Sequence, residues 1–194
     1  MNKSRLETFS DGVFAIIITI MVLELKIPES TEFTVIKPLI PVFISYVLSF
    51  LFVGIYWNNH HHLMHTAKKV NASIMWANMH LLFWLSLVPF CNGWMGRTNF
   101  DKVTVATYGV LLLFCGIAYT LLSKAITKTH SEKTNLTMAL EKGNIKGRIS
   151  LFFYGISVPV ALYVHPLVAA AFYAIVAIMW LIPSKAIEKA LDGE

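Results

Sequence analysis

The sequence predicts an all-α integral membrane protein with six transmembrane helices per chain and both termini in the cytoplasm. Three observations carry that expectation. Of 194 residues, 56% are hydrophobic and only 14% charged, with a mean hydropathy of +0.63; a soluble domain carries about a quarter charged residues. The apolar residues lie in long runs near the ~20 residues that a helix needs to cross a bilayer. The cations between these runs are also unevenly shared. Six spans put Lys26, Lys37, Arg97 and Lys102 on one side, and the other twelve of the 16 Lys and Arg on the side of the termini. Cytoplasmic segments carry such an excess.

The elements follow in order. The first span runs from about Leu6 to Leu25. It begins like a secretory leader, but Glu7 and Asp11 precede the apolar core and no small-x-small cleavage site follows, so a retained helix is expected. The second span covers about 38–60, with Pro38 and Pro41 tolerated in a first turn, and closes near His60-His61-His62. The third covers about 71–94, with Asn71 as N-cap, and the fourth about 103–123, without a charge. The polar stretch from Lys124 to Arg148 offers a short amphipathic helix over Thr134–Gly143, ended by the glycine. Its Asn135-Leu136-Thr137 sequon faces the cytoplasm and goes unused. The last spans, about 149–164 and 166–182, form a hairpin turning at His165-Pro166. No linker or repeat interrupts the chain, so residues 1–194 read as a single six-helix unit.

Composition also excludes several functions. The net charge of +5 and the pI near 9.2 reflect membrane orientation rather than a nucleic-acid partner. Cys91 and Cys115 both lie inside apolar runs, which argues against a disulfide scaffold or a thiolate metal site. No H-E-x-x-H, G-x-S-x-G or phosphate-binding glycine loop occurs, so no enzyme is expected. His61 and His65 have i, i+4 metal-pair spacing, yet no carboxylate or cysteine lies nearby in sequence. They read as a polar helix end, and no metal is expected.

The first span differs from the others. Its uninterrupted apolar stretch, Gly12 to Leu23, is bracketed by Asp11 and Glu24. At 1.5 Å per residue it spans about 18 Å, well short of the ~30 Å hydrocarbon core. Such a helix is better placed inside the protein, approaching a hydrated path. Asp11 admits two readings, helix capping or a buried polar network. Ser4-Arg5-Leu6-Glu7 has the form of a capping box, which places Ser10 and Asp11 two turns into the helix and favours the network. Ile16, Ile20 and Leu23 share one face, with Thr19 beside them. That spacing serves ordinary packing equally well, or a narrow hydrophobic constriction.

Arg5-Leu6-Glu7-Thr8-Phe9-Ser10-Asp11 reads R-x-x-x-F-S-D. It resembles the signature of the transmembrane protein 175 family of potassium channels. The similarity extends over most of the chain, through Tyr56-Trp57-Asn58-Asn59-His60-His61, Asn78 and Pro89-Phe90. The resemblance implies a potassium-preferring cation channel in the cell membrane. Its single six-helix unit would assemble as a homotetramer among membrane lipids, with the first helices around the ion path. The resemblance maps the constriction onto Ile16, Ile20 and Leu23 and the selectivity layer onto Thr19. Arg5, Phe9, Ser10 and Asp11 would tether the first helix through Trp57, His61 and Asn78. No cofactor is implied; potassium and other monovalent cations are the permeants. Glu24 would concentrate cations at the outer mouth. The alternative is a proton-coupled or metal-ion transporter using Asp11, His61 and His80 as a relay, against which stands the lack of internal repeats and paired broken helices.

Overall fold

The computed structural model describes residues 2–28, 30–67, 69–129 and 135–181, with backbone alone for 33 and 135–144. Helix α1 spans Lys3–Leu23. Its cap is Asn2, whose side-chain oxygen accepts the Ser4 N–H at 3.2 Å. The expected Ser4 capping box is therefore not used. Asn caps as well as Ser, and Glu7 turns instead toward Lys3, at 4.0 Å. Ser10 and Asp11 still fall two turns inside the helix.

Two single 3₁₀ turns, Phe33–Val35 and Lys37–Leu39, lead to α2, Ile40–Thr66. This helix outlasts its apolar run and carries the histidines inside it. Hydropathy marks where lipid ends, whereas a helix ends where its backbone does, here at the extended Ala67. The third span is two helices, α3 (Ala72–Ser86) and α4 (Val88–Arg97), rather than one. Asn71 caps α3 by accepting the Ile74 N–H at 2.9 Å. The break at Leu87 precedes Pro89, which has no N–H to extend the ladder and whose ring crowds the carbonyl four residues back.

Helix α5, Lys102–Thr127, starts on the Asp101 carboxylate, which accepts the Val103 N–H at 2.9 Å. Helix α6 runs from Asn135 to Tyr163 without interruption. The amphipathic helix expected over 134–143 is thus no separate element, because the backbone passes straight through Gly143. Residue 134 and the side chains of that stretch lie outside the described residues. Helix α7, Pro166–Leu181, closes the hairpin at His165, whose Nδ1 accepts the Leu167 N–H at 3.2 Å. Residue 182, the expected end of this span, is outside the description.

Among the described residues, five helical spans are long and apolar enough to cross a membrane: Lys3–Leu23, Lys37–Thr66, Ala72–Arg97, Lys102–Thr127 and Ile145–Tyr163. Helix α7 has 16 residues, about 24 Å, and is shorter than the ~30 Å core.

Helix α5 is central, packing on α3, α4, α6 and α7, while α1 lies at the side against α2, α3 and α4. Lipid is as apolar as leucine, so helices in a membrane associate through close packing and polar contacts. Both are present. At Gly96 a Cβ would stand 2.7 Å from the Val42 Cα, so α2 and α4 cross backbone to backbone. Beside that crossing, Ser49 Oγ donates to Asn92 Oδ1 at 3.1 Å and accepts from the Tyr108 hydroxyl at 2.8 Å. Tyr173 donates to the Val105 carbonyl at 2.8 Å, joining α7 to α5.

Candidate functional site: the two faces of the first helix

At 100° per residue, α1 divides into two stripes roughly 130° apart. One stripe, Leu6, Ser10, Phe14, Ile17 and Met21, is buried, each residue no more than 2% exposed. The other runs Arg5, Phe9, Ile16, Thr19, Ile20 and Leu23 and faces away from the protomer. Ile16 is 59% exposed and Leu23 76%. The three positions expected to form a constriction and the expected selectivity residue Thr19 therefore lie on the uncovered face.

The buried stripe is held by a polar chain. Ser10 Oγ donates to the Leu6 carbonyl at 2.8 Å and accepts from Asn78 Nδ2 at 2.9 Å. Asn78 Oδ1 lies 2.6 Å from His60 Nε2, and because an amide oxygen only accepts, the imidazole donates through Nε2. The His60 ring packs on Phe14, centroids 5.6 Å apart. These three polar residues are at most 1% exposed, so each unmade bond would leave a desolvated group unpaired. Asp11, on the flank, accepts from Trp57 Nε1 at 3.0 Å. It is bonded by a side chain of α2 rather than by helix-terminal amides, but it is exposed and stands outside the buried chain through Ser10, Asn78 and His60. The Trp57 ring stacks on His61 at 6.3 Å. Lys3 Nζ donates to the His65 carbonyl at 2.9 Å.

The structure divides the seven expected tethering residues. Ser10, Asp11, Trp57 and Asn78 bond α1 to α2 and α3. Among the described residues, His61 meets the network through its ring stack on Trp57, and it is His60 that bonds Asn78. The sequence carried a signal for this. Ser49, Val53, Tyr56, His60 and Leu63 repeat at helical spacing on one face of α2, and His61 is 100° away from it. Arg5 and Phe9 make no tether among the described residues; Phe9 is 51% exposed. Both share the outward stripe with Ile16.

Thr19 Oγ donates its hydrogen to the Ala15 carbonyl at 2.8 Å. A hydroxyl so engaged presents lone pairs outward, the polarity a cation requires. Glu24, expected as a free charge, is instead ion-paired with Arg97 on α4. His80 accepts from Trp84 Nε1 at 2.9 Å on the exposed side of α3, so an Asp11, His61 and His80 relay is not assembled. The His61 ring sits 5.7 Å from His62 and 6.3 Å from His65, and no group of three or more His, Cys, Asp or Glu suited to a metal occurs among the described residues.

The sequence model of the family described as endosomal/lysosomal potassium channel TMEM175 matches residues 5–89, which include Ser10, Asp11, Trp57, His60 and Asn78. The chain is 51% identical to a potassium channel of Chryseobacterium over 191 residues, 98% of each protein. It is 29% identical to a potassium channel of Streptomyces collinus, over 87% of this chain and 91% of that one. Its fold matches the crystal structure of a lysosomal potassium-selective channel TMEM175 homolog from Chamaesiphon minutus. The TM-score is 0.76 with 22% identity, covering 93% of this chain and 96% of that one.

Proposed function

The chain belongs to the TMEM175 family of potassium channels, and on that premise we propose that it is a potassium-preferring cation channel built as a homotetramer. It is a multi-pass membrane protein and a channel rather than an enzyme. Four copies of the single unit 1–194 surround an axis, with α1 innermost and both termini in the cytoplasm of the cell. A closed four-fold ring of identical contacts satisfies each protomer equally. Potassium and other monovalent cations are the permeants, and no cofactor takes part.

The observation that carries this reading is the uncovered stripe of α1. Its opposite face is fixed to α2 and α3 by Ser10, Asn78, His60, Asp11 and Trp57. A helix held this firmly on one face, and bracketed by Asp11 and Glu24, suits a place beside a shared axis better than one facing lipid. Rings of Ile16, Ile20 and Leu23 form a hydrophobic constriction that strips water from a passing ion, and potassium surrenders water more readily than sodium. A ring of Thr19 hydroxyls replaces part of the lost shell, giving a selectivity more modest than that of a carbonyl filter. Arg5 and Phe9, without a tether among the described residues, meet the neighbouring protomers at the cytoplasmic end.

The test is ion flux from purified protein in liposomes, comparing potassium and sodium gradients for wild type and Ile16→Asn. Passive flux favouring potassium, with conductance or selectivity altered in the variant, is the expected result. Flux that requires a proton gradient and ignores Ile16 would overturn the reading.

A further inference from the structure

The outer end of α1 has its own attachment, separate from the inner polar chain. Glu24 follows the last helical residue, and Arg97 ends α4; their side chains form an ion pair, 32% and 54% exposed. Gly93, one turn earlier on α4, makes room for it. A Cβ at Gly93 would stand 2.8 Å from Glu24 Oε2 and 3.2 Å from the carboxyl carbon. The carboxylate thus rests on the α4 backbone, in space that any other residue would occupy. A negative group at a helix C-terminus meets the negative end of the helix dipole, and Arg97 supplies the compensating charge. Phe90 and Trp94 line the cleft around the pair.

We propose that Glu24, Arg97 and Gly93 form an outer latch that fixes the position of α1, and through the adjoining Leu23 sets the width of the outer constriction. The inference rests on the channel reading given above. Under it, α1 is clamped at both ends by the two halves of the third span. Asn78 on α3 holds the inner end and Arg97 on α4 the outer, with the Leu87 break between them. Glu24 and Arg97 are positioning residues. Neither contacts the ion, and the paired Glu24 does not act as a free charge drawing cations to the mouth.

The latch and the free-charge role predict opposite signs, which makes them separable in single-channel recordings of the reconstituted full-length protein. A free charge is strengthened by removing its partner. Arg97→Gln then raises unit conductance in low salt and Glu24→Gln lowers it, both effects fading in high salt. A latch is broken from either side. Arg97→Gln, Glu24→Gln and Gly93→Ala then shift open probability and the potassium-over-sodium reversal potential in the same direction. The size is about two- to fivefold in open probability per protomer, the range of one exposed ion pair, and the effect compounds when four protomers move together. The exchange Glu24→Arg with Arg97→Glu restores both readouts, and Gly93→Ala adds nothing in a Glu24→Ala background.

Opposite signs for the two single charge variants, or a swap that restores neither readout, overturn the latch while leaving the channel intact. Absence of passive cation conduction in the wild type overturns the channel reading itself. Arg97→Lys guards against misfolding as an explanation, since it keeps the charge and retains most of the wild-type behaviour if pairing is what matters.

Discussion

Asn78 is the residue on which the inner attachment of α1 turns, because its amide joins Ser10 to His60 with one group donating and one accepting. Asn78→Leu leaves the imidazole N–H without an acceptor and Ser10 without a donor inside a bundle from which both are excluded from water. The expected loss is about 1–3 kcal/mol, read as a lower melting temperature in detergent. Ser10→Ala should cost less, nearer ~0.6 kcal/mol, as for typical polar contacts between membrane helices. Thr19→Val tests a different group at nearly constant shape. It removes the outward lone pairs but keeps the branched side chain, so conduction should persist while the potassium-over-sodium permeability ratio falls. A net ~1 kcal/mol interaction corresponds to about fivefold, and bi-ionic reversal potentials measure it; an unchanged ratio would remove Thr19 from the selectivity layer. At this scale the sequence was readable where a residue's environment follows from its spacing, as for Ile16 and Leu23. It was not readable at His60 against His61, or at Glu24, whose partner lies 73 positions away.

Element boundaries were legible wherever composition and backbone chemistry coincide. Asn71 and the His165-Pro166 turn bound their helices because both act locally on backbone groups. The two signals part company at the end of α2, where polar side chains continue the helix beyond the lipid, and at Leu87, where Pro89 interrupts a stretch that hydropathy reads as continuous. The crossing of α2 with α4 was not legible at all, since no local pattern distinguishes Gly96 from other glycines. Its structural role can be checked against Gly147. Gly96→Ala places a methyl 2.7 Å from the Val42 Cα, where backbone must move, and should destabilise by about 1–3 kcal/mol. Gly147→Ala meets nothing within 4 Å and should be neutral or stabilise by up to ~1 kcal/mol through helix propensity. Thermal denaturation in detergent of the two variants should move in opposite directions or differ by several degrees. Equal destabilisation would mean that the close approach of α2 and α4 is not what Gly96 provides.

For the whole molecule, the question is what covers the outward stripe of α1. The proposed tetramer brings four copies of residue 16 around one axis, and that symmetry has a chemical consequence that lipid exposure lacks. Ile16→Cys would create a ring of thiols close enough to share one soft cation, for which thiolates are the preferred ligands. The native thiols do not interfere: Cys91 is 5% exposed and Cys115 is 0% exposed. Cadmium should therefore block potassium flux through Ile16→Cys channels, and a chelator should relieve the block. Tyr163→Cys is the control, at a residue 85% exposed on the far hairpin, and should be insensitive, as should the wild type despite its histidines. Mixing Ile16→Cys with wild-type protomers makes the test quantitative. If the ion needs several thiols at once, cadmium sensitivity falls off faster than the fraction of variant protomers, because few rings in a mixed population keep enough cysteines. Sensitivity that scales linearly with that fraction, or block of the Tyr163→Cys control, would place residue 16 away from a common axis and leave the stripe facing lipid.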